Sequence, residues 1–277
     1  MQITDFTDAV PESLSLPRTS FELEKLIDDP SSDINDFSDV ICLDAPLTSK
    51  LLRLANSTLY KRRGEIGTVS RAIQVIGVRP VYEMTLSTLA SSAFNQLESE
   101  DINIDLFWKK SVFCALCAKY IAEATGVKDF ERLFVSGLMK DLGELLVYIS
   151  SPGVALLCNE STEAGELPWV AQEKIMGFTY ADITHSLLKE WSLPYQITMP
   201  IKHFSQAPNL DINHDVKVLY LASRITVSEF NKSKFPFSEI LDETVFSQIG
   251  LSADDIQDVT TLASEQTSDI IAILGGK

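Results

Sequence analysis

DAPLTSKLLRLANSTLY, residues 44–60, decides the fold class. Apolar residues recur in it at i, i+3 and i+4, the spacing of one face of a helix, with none of the strict alternation of a half-buried strand. Asp44 can accept a hydrogen bond from a first-turn N–H, and Pro46 fits a first turn, where its missing N–H costs nothing. Asn56 and Ser57 stop the helix. The same spacing runs from one end of the chain to the other, so the expected fold class is all-α, a multi-helix bundle.

Working outward, Thr19 caps a helix running to about residue 28, and Asp33 a second running to about residue 43. Downstream, Thr68 opens VSRAIQVIG, which closes at Gly77, and Pro80 restarts a longer helix to about residue 97. The acidic stretch ESEDINIDL (98–106) marks a boundary between lobes. Beyond it the spacing predicts helices over 106–124, 130–149, 154–162, 169–176, 180–191 and 195–204. After the loop SQAPNLDINHD comes a helix over 216–230, and a last one starts near residue 252. The resulting organisation is an N-terminal helical lobe (1–100), a central helical lobe (101–232) and a C-terminal helical extension (233–277). No internal repeat or low-complexity segment interrupts it.

Composition narrows the function. With 277 residues, 23 Lys and Arg against 39 Asp and Glu give a formal charge of -16. Such a surface repels a polyphosphate backbone or an anionic membrane, so neither nucleic acid nor a membrane is an expected partner. The N-terminus carries acids where a secretory signal needs a basic start, and the apolar run LGELLVYISSPGVALLC (142–158) is broken by Glu144 and Pro152-Gly153. No targeting segment or membrane anchor is expected. Cys42, Cys114, Cys117 and Cys158 do not form a disulfide framework, which fits a cytoplasmic location.

Most motifs of chemistry are missing. There is no glycine-rich phosphate loop. Cys114 and Cys117, at i and i+3 among apolar residues, read as buried structural cysteines, because no second ligand pair accompanies them. The acidic run from Asp28 to Asp44 lacks the glycine and terminal glutamate of a calcium loop, so it reads as helix caps and solvated faces. His185, His203 and His214 do not share a helical spacing that would bring them to one zinc ion.

Leu16-Pro17, DAPL (44–47), LLRLANS (51–57), Tyr60 and AIQVIG (72–77) stand here in an order that resembles the N-terminal part of the HDOD domain family. The resemblance continues through FWKKSVFCALCAKYIAEATG (107–126), FVSGLMKDLGELL (134–146) and GFTYADITHSLLKEWSLP (177–194), covering about residues 10–205. It implies a bundle like that of the HD metal-dependent phosphohydrolases, with the central lobe HD-like. In that superfamily histidines and aspartates hold metal ions that activate water.

The positions that the resemblance assigns to those ligands carry other residues here. The first histidine is Lys110. The histidine–aspartate pair is Lys140-Asp141, keeping only the carboxylate. A further histidine is Tyr180, two more fall on Phe204 and Ser205 with His203 one place early, and the closing aspartate is Ser223. No metal, cofactor or catalytic residue is therefore expected, and Lys140 or Lys110 is expected to turn toward Asp141 as its counter-ion. The implied role is a non-enzymatic module of bacterial signal transduction that binds a protein partner through its N-terminal lobe and interlobe cleft. Asp44, Pro46, Asn56, Ser57 and Tyr60 are its family-motif or interaction candidates, and an acidic surface favours a partner with a basic patch. Two alternatives have a chemical basis: a phosphohydrolase rebuilt around Asp141 and His203, and a phosphate or nucleotide sensor using Lys110 and Lys140.

Overall fold

The computed structural model describes residues 1–8, 18–60, 65–94, 102–209, 213–241 and 243–274. All regular structure in these residues is helical, and no helix among them is long and apolar enough to cross a membrane. The expected Leu16-Pro17 element lies outside the described residues.

The chain divides into two compact units, one of residues 1–11 and 99–265, the other of residues 12–98 and 266–277. The C-terminal segment 233–277, expected as a separate extension, is shared between them. Its last helix, α17 (Ala253–Leu274), is continuous, so the residue groups on either side of Glu265 belong to different units.

The smaller unit contains α2 (Arg18–Asp28), α3 (Ile34–Cys42), α4 (Ala45–Ala55), α5 (Val69–Ile76) and α6 (Val78–Phe94). Its helix ends follow from single side chains. Asp33 accepts from the N–H groups of Asn35 and Asp36 while Asp36 accepts from the Asp33 N–H, a reciprocal capping box. Asp44 accepts from Leu47 N–H at 2.9 Å, and Thr68 from Arg71 N–H at 3.1 Å. Gly77 closes α5 at φ 109°, a backbone conformation that suits glycine. Helix α2 begins at Arg18, one residue before the expected cap Thr19, so Thr19 lies inside it. The core of this unit is aliphatic: Leu23, Ile41, Leu51, Leu54 and Ala72 have no exposed surface.

The larger unit begins with the single turn α1 (Thr4–Thr7), where Phe6 meets Phe178 edge to face at 5.9 Å. Its centre is α7 (Ile104–Ala124), capped by Asn103 and buried along most of its length, and α8 (Glu131–Met139) packs against it. A Cβ on Gly137 would lie 2.8 Å from the Ala115 Cα, so these two helices touch backbone to backbone. Helices α9 (Leu142–Ser150), α10 (Pro152–Glu163), α11 (Pro168–Met176), α12 (Tyr180–Glu190), α13 (Tyr195–His203) and α14 (His214–Phe230) complete the bundle, with a 3-10 turn over Phe204–Asn209. Arg132 of α8 forks onto both carboxylate oxygens of Asp215 on α14, with a nearest approach of 2.9 Å. Two short helices that the periodicity misses, α15 (Phe237–Ile240) and α16 (Glu243–Gln248), precede α17.

One expected helix is wrong in a way that matters. The segment 130–149 is two helices, α8 and α9, interrupted at Lys140-Asp141. Across the break the Thr184 hydroxyl of α12 accepts the Gly143 N–H at 2.8 Å and lies 3.0 Å from the Lys140 carbonyl. Gly143 sits so close to α12 that a Cβ there would lie 2.2 Å from the Tyr180 carbonyl oxygen. Packing between helices therefore holds a break that the apolar periodicity does not show, at Asp141, a residue type that starts helices and stands here at the N-cap of α9.

Candidate functional site

A cavity of about 450 Å³ lies within the larger unit, lined by side chains of α7, α9, α10, α11, α12 and α14 and by the 3-10 turn. Its walls follow helical periods. Asp141, Glu144 and Tyr148 come from the start and one face of α9; Ser223, Thr226, Val227, Phe230 and Asn231 come from one face of α14. The break between α8 and α9 turns Lys140 and Asp141 into this cavity.

Six of the expected positions meet here: Lys110, Lys140, Asp141, Tyr180, Phe204 and Ser223 all line the cavity. Ser205 and His203 do not; both are half-buried outside it. The Lys140 ammonium forms an ion pair with Asp141, the side chains being 7% and 28% exposed. Burial, the largest single effect, pushes that ammonium down, but Asp141 beside it, together with Cys114 and Glu144, outweighs burial and raises it. Lys140 is charged as well as buried, and the expectation that a lysine would neutralise Asp141 is met by this residue.

The pair is embedded in rings. Lys140 Nζ stands 5.3 Å from the Phe204 ring centroid, Phe204 meets Trp169 edge to face at 5.7 Å, and the Arg224 guanidinium lies 4.6 Å from the Trp169 centroid. Two cations thus bracket two aromatic rings. Tyr180 is buried, with its hydroxyl beside the Cys158 thiol, and burial pushes its ionisation far upward. Ser223 spends its hydroxyl on the Leu219 carbonyl at 2.7 Å. Gln172 accepts the Tyr180 N–H at 3.0 Å, and Asn159 donates to the Tyr148 hydroxyl.

Glu144 is a cavity residue that the sequence reading missed. Half-buried in the cavity wall, its carboxyl is pushed up to about 7 by burial first and by Asp141 second, against the pull of Lys110 and Lys140. Its signal was present: Glu144 stands three residues after Asp141 and so shares its helical face. Trp169 and Asn159 were not predictable in the same way, because helix packing alone brings α10 and α11 to the cavity.

The donor set does not suit the metal that the fold implies. At the six family positions the cavity offers two lysines, a phenol, a benzyl ring, a hydroxyl already in use and a carboxylate matched by an ammonium, while the carboxyls of Glu144 and Glu163 stand elsewhere in its lining. Hard divalent cations require several oxygen or nitrogen donors at one point. Among the described residues no group of three or more His, Cys, Asp or Glu could hold an ion. The rejected candidates behave as expected. Cys114 and Cys117 are fully buried, and burial raises both thiols. His185 places Nδ1 3.1 Å from the Thr198 carbonyl.

The motif residues of the smaller unit hold backbone. Asp44 caps α4 and Pro46 sits in its first turn. Asn56 donates to the Leu52 and Ile66 carbonyls and accepts from Ile66 N–H, each at 2.8 Å, which pins residue 66 to the end of α4. Ser57 donates to the Leu54 carbonyl at 2.7 Å and accepts from Leu59 N–H at 3.2 Å, and Tyr60 is buried.

Comparison with known proteins agrees with this architecture. A protein from Shewanella amazonensis SB2B, provisionally named a phosphohydrolase, superposes with a TM-score of 0.72 at 20% identity, over 98% of this chain and 96% of that one. A protein from Marinobacter aquaeolei VT8, provisionally named a signal transduction protein, gives 0.71 at 19% identity over 99% of this chain and 61% of its own. An HDOD domain protein of unknown function from Geobacter sulfurreducens gives 0.65 at 22% identity, over 98% and 94%. An uncharacterized protein of Treponema pallidum (strain Nichols) is 23% identical over 240 residues, 86% of this chain, and this chain spans 46% of that protein's length. The family model of the HDOD domain matches residues 14–207. The chain belongs to the HDOD domain family.

Proposed function

We propose that this chain is a non-catalytic HDOD module of bacterial signal transduction that works by binding another protein. The observation that carries this reading is the ion pair in the cavity: a lysine ammonium stands beside the one carboxylate that remains of the superfamily's ligand set. Metal-assisted hydrolysis needs an ion to lower the pKa of water and to stabilise charge in the transition state. A cavity whose remaining carboxylate is matched by an ammonium, and whose other ligand positions are Lys110, Tyr180, Phe204 and Ser223, supports neither task. The name of the Marinobacter relative supports a signalling role. The name of the Shewanella relative points instead to hydrolysis, and the donor set weighs against that here.

Two features support a protein partner. Leu43, at the end of α3 in the smaller unit, is 83% exposed, and Phe21 on α2 is 39% exposed. The net charge of -16 favours a partner with a basic patch, and the four free cysteines suit a reducing, cytoplasmic setting. A hydrolysis assay tests the non-catalytic part directly. With bis(p-nitrophenyl) phosphate and added manganese, magnesium, iron(II) or zinc, the protein is expected to show no turnover beyond that of its Asp141→Asn variant. Turnover that this substitution abolishes would make the chain an enzyme.

A further inference from the structure

We propose that the cavity of the larger unit binds a small organic anion with a flat, unsaturated body, and that Lys110 holds its anionic group. This rests on reading the cavity as free of metal, and it adds a ligand to a site read so far only through what it lacks.

Five charged side chains line the cavity: Lys110, Lys140, Asp141, Glu144 and Glu163. Lys140 and Asp141 satisfy each other, and Glu163 pairs with Lys234. The structure thus separates the two lysines, since Lys110 is a half-buried residue of the cavity lining with no ion pair or side-chain hydrogen bond among the described residues. A charge held in a recess without a counter-ion is costly, and an anionic ligand relieves that cost. Glu144, whose field reaches Lys110, fills the role only in part, because burial and Asp141 hold its carboxyl up to about 7.

The rest of the lining fits the body of such a ligand. Phe107, Trp169, Phe204 and Phe230 supply ring surface. The buried Tyr180 hydroxyl, beside the Cys158 thiol, finds no oxygen or nitrogen hydrogen-bond partner and is available as a donor. A volume of about 450 Å³ falls within the range of small-molecule pockets, roughly 300–1,000 Å³. A lysine is a point charge without the forked geometry of arginine, so it does not choose between a carboxylate and a phosphate. The anionic body is the shared chemistry, and the experiment separates the two sources.

The probes are benzoate, phenyl phosphate and benzylamine, titrated into the full chain in chelator-containing buffer and followed by calorimetry and saturation-transfer NMR. At least one of the two anions is expected to bind, and which one identifies the acid group; benzylamine is expected not to bind. Lys110→Met is expected to weaken the anion about tenfold or more while Lys110→Arg retains it, with both variants keeping the wild-type circular dichroism. Binding of benzylamine equal to that of the anions, or anion binding indifferent to Lys110→Met, would overturn the proposal. So would absence of both anions from a protein that also takes up no manganese, and that result leaves the metal-free reading standing. Anion binding that appears only when manganese replaces the chelator would overturn both.

Discussion

Lys140 and Asp141 illustrate how a single substitution changes what a neighbouring residue does. A carboxylate in a recess needs a counter-charge. In the metal-dependent relatives that the resemblance implies, an ion supplies it; here an ammonium does, and on the proposed reading the same ammonium takes the place of a metal cation. Removing one partner leaves the other buried and uncompensated, so Asp141→Asn is expected to cost on the order of 2 kcal/mol in denaturant unfolding, and the double variant Lys140→Met with Asp141→Asn to cost less than the single one. Glu144 makes a second residue-scale prediction. Its carboxyl is raised from the ordinary 4.5 to about 7, so between these values the unfolded chain has lost a proton that the folded chain keeps. Stability from this group is therefore present at low pH and falls as pH rises through that window. Glu144→Gln removes the dependence, and its melting temperature relative to wild type is expected to rise by about 2 °C or more between pH 4.5 and pH 8. An unchanged difference across the window would refute the assignment.

At the level of the element, the break between α8 and α9 builds the site. Its cause lies in another helix: the Thr184 hydroxyl takes the Gly143 N–H and sits beside the Lys140 carbonyl, and Gly143 lets α12 approach to backbone contact. Gly143→Ala places a Cβ 2.2 Å from the Tyr180 carbonyl oxygen and is expected to destabilise the protein by ~1–3 kcal/mol, with Thr184→Val showing a cost of similar size in the same denaturant titration. This is also where legibility in the sequence ends. Caps carry their own signal, so Asp33, Asp44 and Thr68 were readable as helix starts and are found there. The 130–149 segment contains no proline and no terminal glycine pattern, so its periodicity read as one helix; the interruption is imposed by a contact with a residue more than forty positions away. The ligand positions were readable because the resemblance assigned them one by one, and six of them do meet. Glu144 escaped because it was read only as a break in an apolar run, when its spacing from Asp141 already placed it on the same face.

For the molecule as a whole, the two units carry different kinds of information. The larger holds a cavity in which each charged side chain but Lys110 and Glu144 has an ion-pair partner. In the smaller unit the motif residues Asp44, Asn56 and Ser57 spend their polar atoms on backbone, which makes them determinants of shape more than of contact. An acidic helical protein with such a cavity fits the recognition role proposed above. The most direct test of this account is the metal content of the purified, chelator-treated protein after re-equilibration with manganese, iron(II), zinc and magnesium, measured by elemental analysis. The account predicts sub-stoichiometric metal, with no difference between wild type and Asp141→Asn. Stoichiometric metal in the wild type that Asp141→Asn removes would contradict it.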